Sequence, residues 1–211
     1  MQPSDRYPLA LLAGFLAIFV ALGIAPWYRQ DWLLENLLVV IAVPLLVLTH
    51  RRLRFSNFAY TCLFVFFVLH EIGAHYTYSE VPWREWLAAL TGTEAAVAGR
   101  NHYDRFVHFS YGLLLMPAVV ELVEARMSPR GLWRWLMPLL FVMSHSVIYE
   151  MIEWIAAVLF GGELGVAYLG TQGDEWDAQK DMALATAGAI TGLVLLWIRD
   201  RLRRPRPRMA S

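Results

Sequence analysis

The chain has 211 residues, of which 58% are hydrophobic and only 17% are charged, and its formal net charge is zero. An average soluble domain is about 45–50% apolar and about 25% charged, so this composition indicates a membrane protein and argues against a disordered or coiled-coil protein. The single cysteine, Cys62, excludes an intrachain disulfide and any CxxC metal or redox motif.

Six apolar segments predict six transmembrane helices within one membrane domain. The predicted spans are, in chain order, residues 8–27, 32–49, 55–76, 106–124, 133–160 and 181–198, and residues 199–211 form a basic tail. A hydrocarbon core of about 30 Å requires roughly 20 residues in a helix, and only the first segment is that long without containing a charged residue. The others reach this length only if neighbouring polar residues, such as Glu35, Glu150 and Asp181, enter the membrane. Because the segments are apolar on every side, the predicted fold class is an all-α polytopic membrane protein rather than a soluble bundle.

The distribution of charge predicts how the chain crosses the membrane. If the N-terminus is cytoplasmic, thirteen of the eighteen basic residues lie inside, including six arginines from Arg199 to Arg208. Fourteen of the eighteen acidic residues then lie outside or in the outer half of the membrane. The positive-inside rule therefore favours two cytoplasmic termini and an acidic outer face. The arginine tail is interpreted as an anchor at the inner leaflet rather than as a nucleic-acid-binding segment.

The two long outer connections differ in character. In the first, Trp83, Trp86, Leu87 and Leu90 follow the spacing i, i+3, i+4, i+7, and Pro82 stands at the expected start of a helix. This pattern predicts a short amphipathic helix lying in the outer interface. In the second, five glycines between residues 161 and 173 are compatible with a re-entrant loop over a site and equally with a flexible connection.

Four spans carry ionisable residues near their outer ends, which the predicted orientation places at one depth. From the third span to the sixth, these are His70, Glu71 and His75, then Asp104 and His108, then Glu150 and Glu153, and finally Asp174, Asp177 and Asp181. An ionised side chain at a helix centre is disfavoured by roughly 2.5–3.5 kcal/mol when it faces lipid. These side chains are therefore predicted to face one another.

A cluster of carboxylates inside a bundle must share protons, pair with basic side chains or bind cations. Arg100, Arg105 and Lys180 are too few to neutralise this cluster. Imidazole together with carboxylate is the ligand set of zinc hydrolases and of iron or manganese sites. The sequence has no HExxH motif and no paired ExxH motif, so three interpretations stay open: a divalent metal ion, a proton-sharing network, and purely structural hydrogen bonds between helices.

The metal hypothesis assigns roles to these residues. The predicted ligands are His70, Glu71, His75, Asp104, His108, Glu150, Asp174 and Asp177. Glu153 or Asp181 is the predicted general base. Arg100, Arg105 and Lys180 are predicted to bind an anionic headgroup. The corresponding function is a metal-dependent, membrane-embedded hydrolase that acts on a lipid or lipid-linked substrate at the outer face.

Two other functions remain as alternatives. The first is a transporter coupled to protons or cations, and the second is a membrane scaffold or assembly protein whose polar cluster only orients the helices. A transporter needs a polar path through both leaflets, whereas the inner halves of the spans offer little beyond Glu121 and Glu124. This one-sided distribution favours a site over a path.

Three strings carry a resemblance to a known family. They are HEIGAHYTYSEVPW at residues 70–83, GRNHYDRFVHFSYG at 99–112 and LGTQGDEWDAQKDM at 169–182. They resemble the signature stretches of the YjdF-like family of bacterial inner-membrane proteins, and the similarity extends from the first span through the sixth. The resemblance implies a polytopic protein of the bacterial inner membrane. It implies no particular activity and carries over no catalytic residues.

Overall fold

The protein is a bundle of helices in the computed structural model, which describes residues 5–92, 99–160, 162 and 169–203. Seven α-helices have both ends within these residues, and no strand occurs there. They are α1 (Arg6–Gly23), α2 (Arg29–Thr49), α3 (Asn57–Tyr76), α4 (Trp83–Thr91), α5 (Tyr103–Met127), α6 (Trp133–Phe160) and α7 (Asp177–Arg203). All except α4 are long and apolar enough to cross a membrane. The predicted fold class, an all-α polytopic membrane protein with six spans, is confirmed.

Several helices extend further into polar sequence than the predicted spans do. α2 begins at Arg29, α5 at Tyr103 and α7 at Asp177, each a few residues earlier than expected. Each of these helices has an aspartate in its first turn, where a negative charge is favoured by the helix macrodipole. At the other end of the chain α7 continues to Arg203, and the rest of the predicted basic tail lies outside the described residues.

The bundle has two ends, which are distinguished by the contacts between helix termini. At the terminal face, where α1 begins and α7 ends, the Ser56 hydroxyl at the start of α3 donates to Glu121 near the end of α5, over 2.6 Å. At the opposite distal face, the backbone N–H of Trp27 donates over 2.9 Å to the carbonyl oxygen of His75 at the end of α3. The starts of α2, α5 and α7 lie at the distal face, so their first-turn aspartates do as well.

Glycines allow α5 and α7 to pack closely at the centre of the bundle. A Cβ atom on Gly112 of α5 would lie 1.9 Å from the carbonyl oxygen of Ala185, and one on Gly188 of α7 would lie 2.0 Å from that of Phe109. Small residues permit this approach of two backbones within a membrane. α3 packs on α5, α6 packs on both central helices, and α1 and α2 pack on α3.

The short helix α4 is present where the sequence predicts one, but its apolar positions do not all meet the same surroundings. The Trp83 ring stacks on Phe106, with ring centroids 4.8 Å apart, and therefore packs against α5. Leu90 is 83% exposed, and Trp86 and Leu87 are also exposed. The location of α4 in the membrane interface stays a prediction. The glycine-rich connection predicted at 161–173 lies mostly outside the described residues.

Candidate functional site

Two aspartates and a histidine meet in the distal half of the bundle. Asp104 and His108 are one turn apart on α5, and Asp181 approaches them from α7. One oxygen of each aspartate and one ring nitrogen of His108 all lie within 4.8 Å of one another. Asp181 is only 2% exposed, and its Oδ1 has no hydrogen-bond partner among the described residues. These three residues are called the His108 cluster below.

Two further carboxylates, both from α6, lie beside this cluster. Glu150 Oε1 lies 3.8 Å from Nδ1 of His108, while Nε2 of the same ring lies 3.3 Å from Asp104 Oδ1. Glu153 lies beside Glu150 and within hydrogen-bonding reach of Tyr149. Several carboxylates therefore share a water-poor region with one imidazole, which is stable only if protons or cations offset their charge.

The basic side chains at this end of the bundle already have acidic partners. Arg100 forms an ion pair with Asp177, and Arg105 lies 2.5 Å from Asp174 and 3.5 Å from Asp177. Lys180 Nζ lies 2.6 Å from Asp174 Oδ2. Of the three predicted headgroup-binding residues, only Lys180 has a side chain that is about half exposed (49%). The basic side chains described here thus pair chiefly with Asp174 and Asp177, while Arg100 Nη2 also lies 3.9 Å from Asp104 Oδ2 of the His108 cluster.

Asp174 lies in the loop before α7, outside the membrane-spanning helices. Hydrogen bonds from the Lys180 ammonium, together with those from the Trp176 backbone N–H and the Arg105 guanidinium, lower its pKa to about 2. Asp174 is therefore an ionised residue of a surface ion-pair network. This network holds the start of α7 against the start of α5.

Two predicted histidine ligands on α3 are used in other contacts. Nε2 of His70 lies 3.2 Å from the carbonyl oxygen of Glu35, which can only accept, so Nε2 carries the hydrogen. Nδ1 of His70 then accepts from the Tyr78 hydroxyl at 2.6 Å, and burial raises the pKa of Tyr78 well above its usual value, which keeps that donor protonated. By the same reasoning Nδ1 of His75 donates to the carbonyl oxygen of Leu22 at 2.8 Å. These bonds join α3 to α2 and α1.

Glu71, the third predicted ligand on α3, belongs to a separate buried polar group. Its side chain is fully buried (0% exposed) beside Asn36 of α2, and neither carboxylate oxygen has a hydrogen-bond partner among the described residues. Directly after the end of α3, the Thr77 hydroxyl donates to buried Asp31 of α2 over 3.1 Å. This group holds α2 against α3.

The predicted residues therefore separate into two sets. The structure brings together Asp104, His108, Glu150, Glu153 and Asp181. Other partners hold His70, His75 and Asp174, as described above, and Glu71 lies beside Asn36 in a separate buried group. Asp177 lies between the two sets, since it pairs with Arg100 and Arg105 while remaining close to Asp181 and Glu150.

Two residues of this region were not among the predicted ligands. Glu35 of α2 is buried and accepts a hydrogen bond of 3.1 Å from the Tyr149 hydroxyl of α6. The sequence offered one signal for Glu35, because a carboxylate inside an apolar span must face the protein interior. Nothing in the sequence indicated Tyr149 as its partner, because the two are far apart in the chain and meet only through helix packing.

An apolar cavity adjoins the His108 cluster. It has a volume of about 350 Å³ and lies between α2, α3, α5 and α6. His108 and Tyr149 form part of its wall, while most of the remaining wall is aliphatic or aromatic. A second cavity, of about 440 Å³, lies among α1, α2 and α3 and reaches Asp5 and His50 at the terminal face.

The fold and this arrangement define a class: a polytopic all-α membrane protein with a buried polar site near one end of its helices. Residues 7–201 match the model of the family described as "Predicted membrane protein (DUF2238)". The chain is also 36% identical over 201 residues to Inner membrane protein YjdF of Escherichia coli (strain K12), with 90% of each chain covered. No solved structure matches it. The chain belongs to this family, and together with its six apolar helices this makes it a multi-pass inner-membrane protein.

Proposed function

We propose that the protein is a metal-dependent enzyme embedded in the inner membrane, and that the His108 cluster holds a divalent metal ion. One observation carries the proposal: Asp104, His108 and Asp181 present three ligand atoms within 4.8 Å of one another. The buried, unpartnered Oδ1 of Asp181 supports it independently, because a buried carboxylate oxygen without a partner is costly. The residue types suit zinc, iron or manganese.

The surrounding residues fit such an ion. Glu150, with an unpartnered Oε1 beside His108, supplies a further ligand or orients the imidazole. A divalent ion bound there supplies Lewis acidity for hydrolysis. In this proposal Glu153, next to Glu150, accepts a proton from an attacking water, and Asp181 serves as a ligand rather than as the general base. The proposed ligand set is therefore narrower than the sequence predicts, because His70, His75 and Asp174 have other partners and Glu71 lies in a separate buried group beside Asn36.

A lipid or lipid-linked molecule is the proposed substrate class. The apolar cavity beside His108 favours a substrate with a hydrocarbon portion. All three basic residues predicted to bind an anionic headgroup pair with Asp174 or Asp177, and Lys180 is the most accessible of them because its side chain is about half exposed.

The distribution of buried residues favours this enzyme over a transporter. The terminal half of the bundle contains apolar clusters built around residues such as Met116, Val123 and Val142. The buried acids, such as Glu35, Glu71 and Asp181, lie in the distal half. We also propose that both termini are cytoplasmic, so that the site opens toward the outer side of the inner membrane.

Elemental analysis of the detergent-purified full-length protein tests the metal site. We expect about one divalent ion per chain, and we expect Asp181→Asn or Glu150→Gln to lower metal occupancy or affinity at least about tenfold, as loss of a ligand or its support does. Asp31→Asn is the matched control, since Asp31 and Asp181 are equally buried, each 2% exposed, but Asp31 contacts Thr77 instead.

His75→Ala is a second control, because His75 binds the Leu22 carbonyl group, and it should leave metal content unchanged. If the parent protein contains no stoichiometric metal after purification and after reconstitution with zinc, iron or manganese, the enzyme proposal fails. The cluster would then be a proton-sharing or structural network.

A further inference from the structure

The cavity between α2, α3, α5 and α6 combines a largely apolar wall with a polar end, as a binding site for an amphiphile does. Its apolar lining includes Leu38, Ala42, Phe66 and Leu115. At its distal end the wall includes His108, so an occupant of the cavity lies directly beside the His108 cluster. Its volume of about 350 Å³ is near the lower limit of ligand pockets, roughly 300–1,000 Å³, which suits one chain rather than a whole diacyl lipid.

The cavity opens at the side of the bundle rather than at its end. Ile41 and Leu45, one turn apart on α2, line it and are also 56% and 57% exposed. Both lie well inside the membrane-spanning segment Arg29–Thr49. The medium that meets this opening is therefore lipid hydrocarbon, not water. Filling an apolar cavity with hydrocarbon restores dispersion contacts that an empty cavity would forfeit.

The cavity lies in the interior of the membrane rather than at its surface. Leu38 and Leu46, which both line the cavity, are separated by about 12 Å along α2, at 1.5 Å per residue, and run from the middle of Arg29–Thr49 toward the terminal face. On α5 the lining residues run from Val107 to Leu115, in the half of that helix nearer the distal face. The cavity therefore lies at the depth of the hydrocarbon core, which an acyl chain occupies and a headgroup does not.

A hydrogen bond ties the two helices on either side of the opening. The Tyr149 hydroxyl of α6 donates to Glu35 of α2 over 3.1 Å. α2 itself packs on α3. Both residues lie on the distal side of the opening formed by Ile41 and Leu45. This polar contact therefore closes the cavity on its distal side, and the cavity is open to the bilayer on the terminal side of the contact.

We infer that this cavity binds one acyl chain of a membrane phospholipid, which enters sideways between α2 and α6 and lies beside the His108 cluster. The inference that the bound lipid is a substrate rests on the proposed function. The inference that a lipid binds at all rests on the cavity, its lateral opening and its polar end.

Photo-crosslinking in reconstituted vesicles tests this inference. The probe is a phosphatidylethanolamine with a diazirine midway along one acyl chain, and the labelled residues of the full-length protein are mapped by mass spectrometry. We expect labelling of cavity residues such as Phe66 and Leu115. Ala42→Trp, which fills the cavity, should lower that labelling about tenfold. Val40→Trp is the matched control, because Val40 is on the same helix, is 59% exposed and does not line the cavity.

Several outcomes separate this inference from the proposed function. Labelling confined to lipid-facing residues such as Val40, or labelling of Phe66 that is equal in Ala42→Trp and wild type, would overturn it. If Ala42→Trp does not fold, the smaller substitution Ala42→Leu should give an intermediate reduction. Asp181→Asn should retain cavity labelling while losing metal, so failure of the metal site and failure of the lipid site are recognised independently.

Discussion

The metal and proton interpretations of the site assign different amounts of positive charge to the surroundings of His108. A protonated imidazole contributes one positive charge between Asp104, Glu150 and Asp181, whereas a divalent ion with a neutral imidazole contributes two. The ion therefore offsets one more negative charge than a protonated imidazole does, in addition to the charge offset by the Arg100 guanidinium, which lies 3.9 Å from Asp104. Because metal ligands must be deprotonated, bound metal and a proton on the coordinating nitrogen of His108 exclude each other.

Asp174 gives a prediction for the ion-pair network at the start of α7. Its pKa is lowered to about 2, below the roughly 3.9 of an unperturbed aspartate, chiefly by the Lys180 ammonium. A carboxylate with a lowered pKa stabilises the fold above its unfolded pKa, and this contribution is lost as the pH falls toward the folded value. We expect Asp174→Asn to lower the thermal unfolding temperature at pH 7, and the difference from wild type to shrink between about pH 4 and pH 2.

Thermal unfolding of the detergent-solubilised protein at a series of pH values measures this difference. Glu175→Gln is the charge control, since it neutralises an exposed neighbouring carboxylate and should have little effect at any pH. A stability difference between Asp174→Asn and wild type that stays constant from pH 7 to pH 2 would contradict the assigned role of Asp174.

Part of the candidate site follows from residue spacing within one helix. Asp104 and His108 are four residues apart, which places them on the same helix face, and the structure keeps them together. The same spacing applies to Glu71 and His75, yet Glu71 lies beside Asn36 and His75 binds Leu22. Spacing within a helix shows which side chains share a face. It does not show how each helix is rotated against its neighbours, and that rotation decides which faces meet.

At the scale of elements, the contact between α5 and α7 gives a second prediction. A Cβ atom on Gly112 would lie 1.9 Å from the carbonyl oxygen of Ala185 and 2.6 Å from the backbone nitrogen of Ala189. Backbone atoms of a packed helix cannot move aside as a flexible side chain can, so the helices must separate. We expect Gly112→Ala to destabilise the protein by about 1–3 kcal/mol or more, the usual range for overpacking.

Gly14→Ala is the matched control for this contact. Its Cβ atom would lie 3.6 Å from the Phe64 ring, which is an ordinary van der Waals distance. In a helix interior alanine is favoured over glycine by roughly 0.5–1 kcal/mol, so this variant should be neutral or slightly stabilised. Thermal or denaturant unfolding of both variants in one detergent provides the comparison. Equal stability of Gly112→Ala and wild type would mean that α5 and α7 are not packed as closely as described.

The helices themselves were largely predictable because lipid leaves a chain few alternatives. Every backbone polar group within the hydrocarbon must be paired, so an apolar run of sufficient length forms a helix. The exact starts of α5 and α7 were less predictable, since Tyr103, Asp104 and Asp177 are polar enough to suggest a loop. They are helical because contacts with neighbouring helices and with the basic residues Arg100 and Arg105 satisfy their polar groups.

On the scale of the whole molecule, the two ends of the bundle have opposite character. Apolar residues such as Phe55, Leu63 and Val123 form the core toward the terminal face. Buried acids such as Glu35, Asp177 and Asp181 occupy the distal half. This asymmetry matches the uneven distribution of charge in the sequence, and it means that the side of the membrane on which the termini lie also determines where the candidate site opens.

The last prediction is that both termini lie in the cytoplasm, because this orientation assigns thirteen of the eighteen basic residues of the sequence to the inner side. Single cysteines test it in a Cys62→Ala background. Ser128→Cys places a thiol in the exposed connection between α5 and α6, and Glu175→Cys places one before α7 at the distal face. In intact bacterial cells whose outer membrane is permeable to it, a maleimide reagent that cannot cross the inner membrane should label Glu175→Cys at once and Ser128→Cys only after the inner membrane is opened. The Cys62→Ala background without added cysteine should remain unlabelled. The reverse pattern would place the His108 cluster near the cytoplasmic side, and any substrate would then have to come from the inner leaflet.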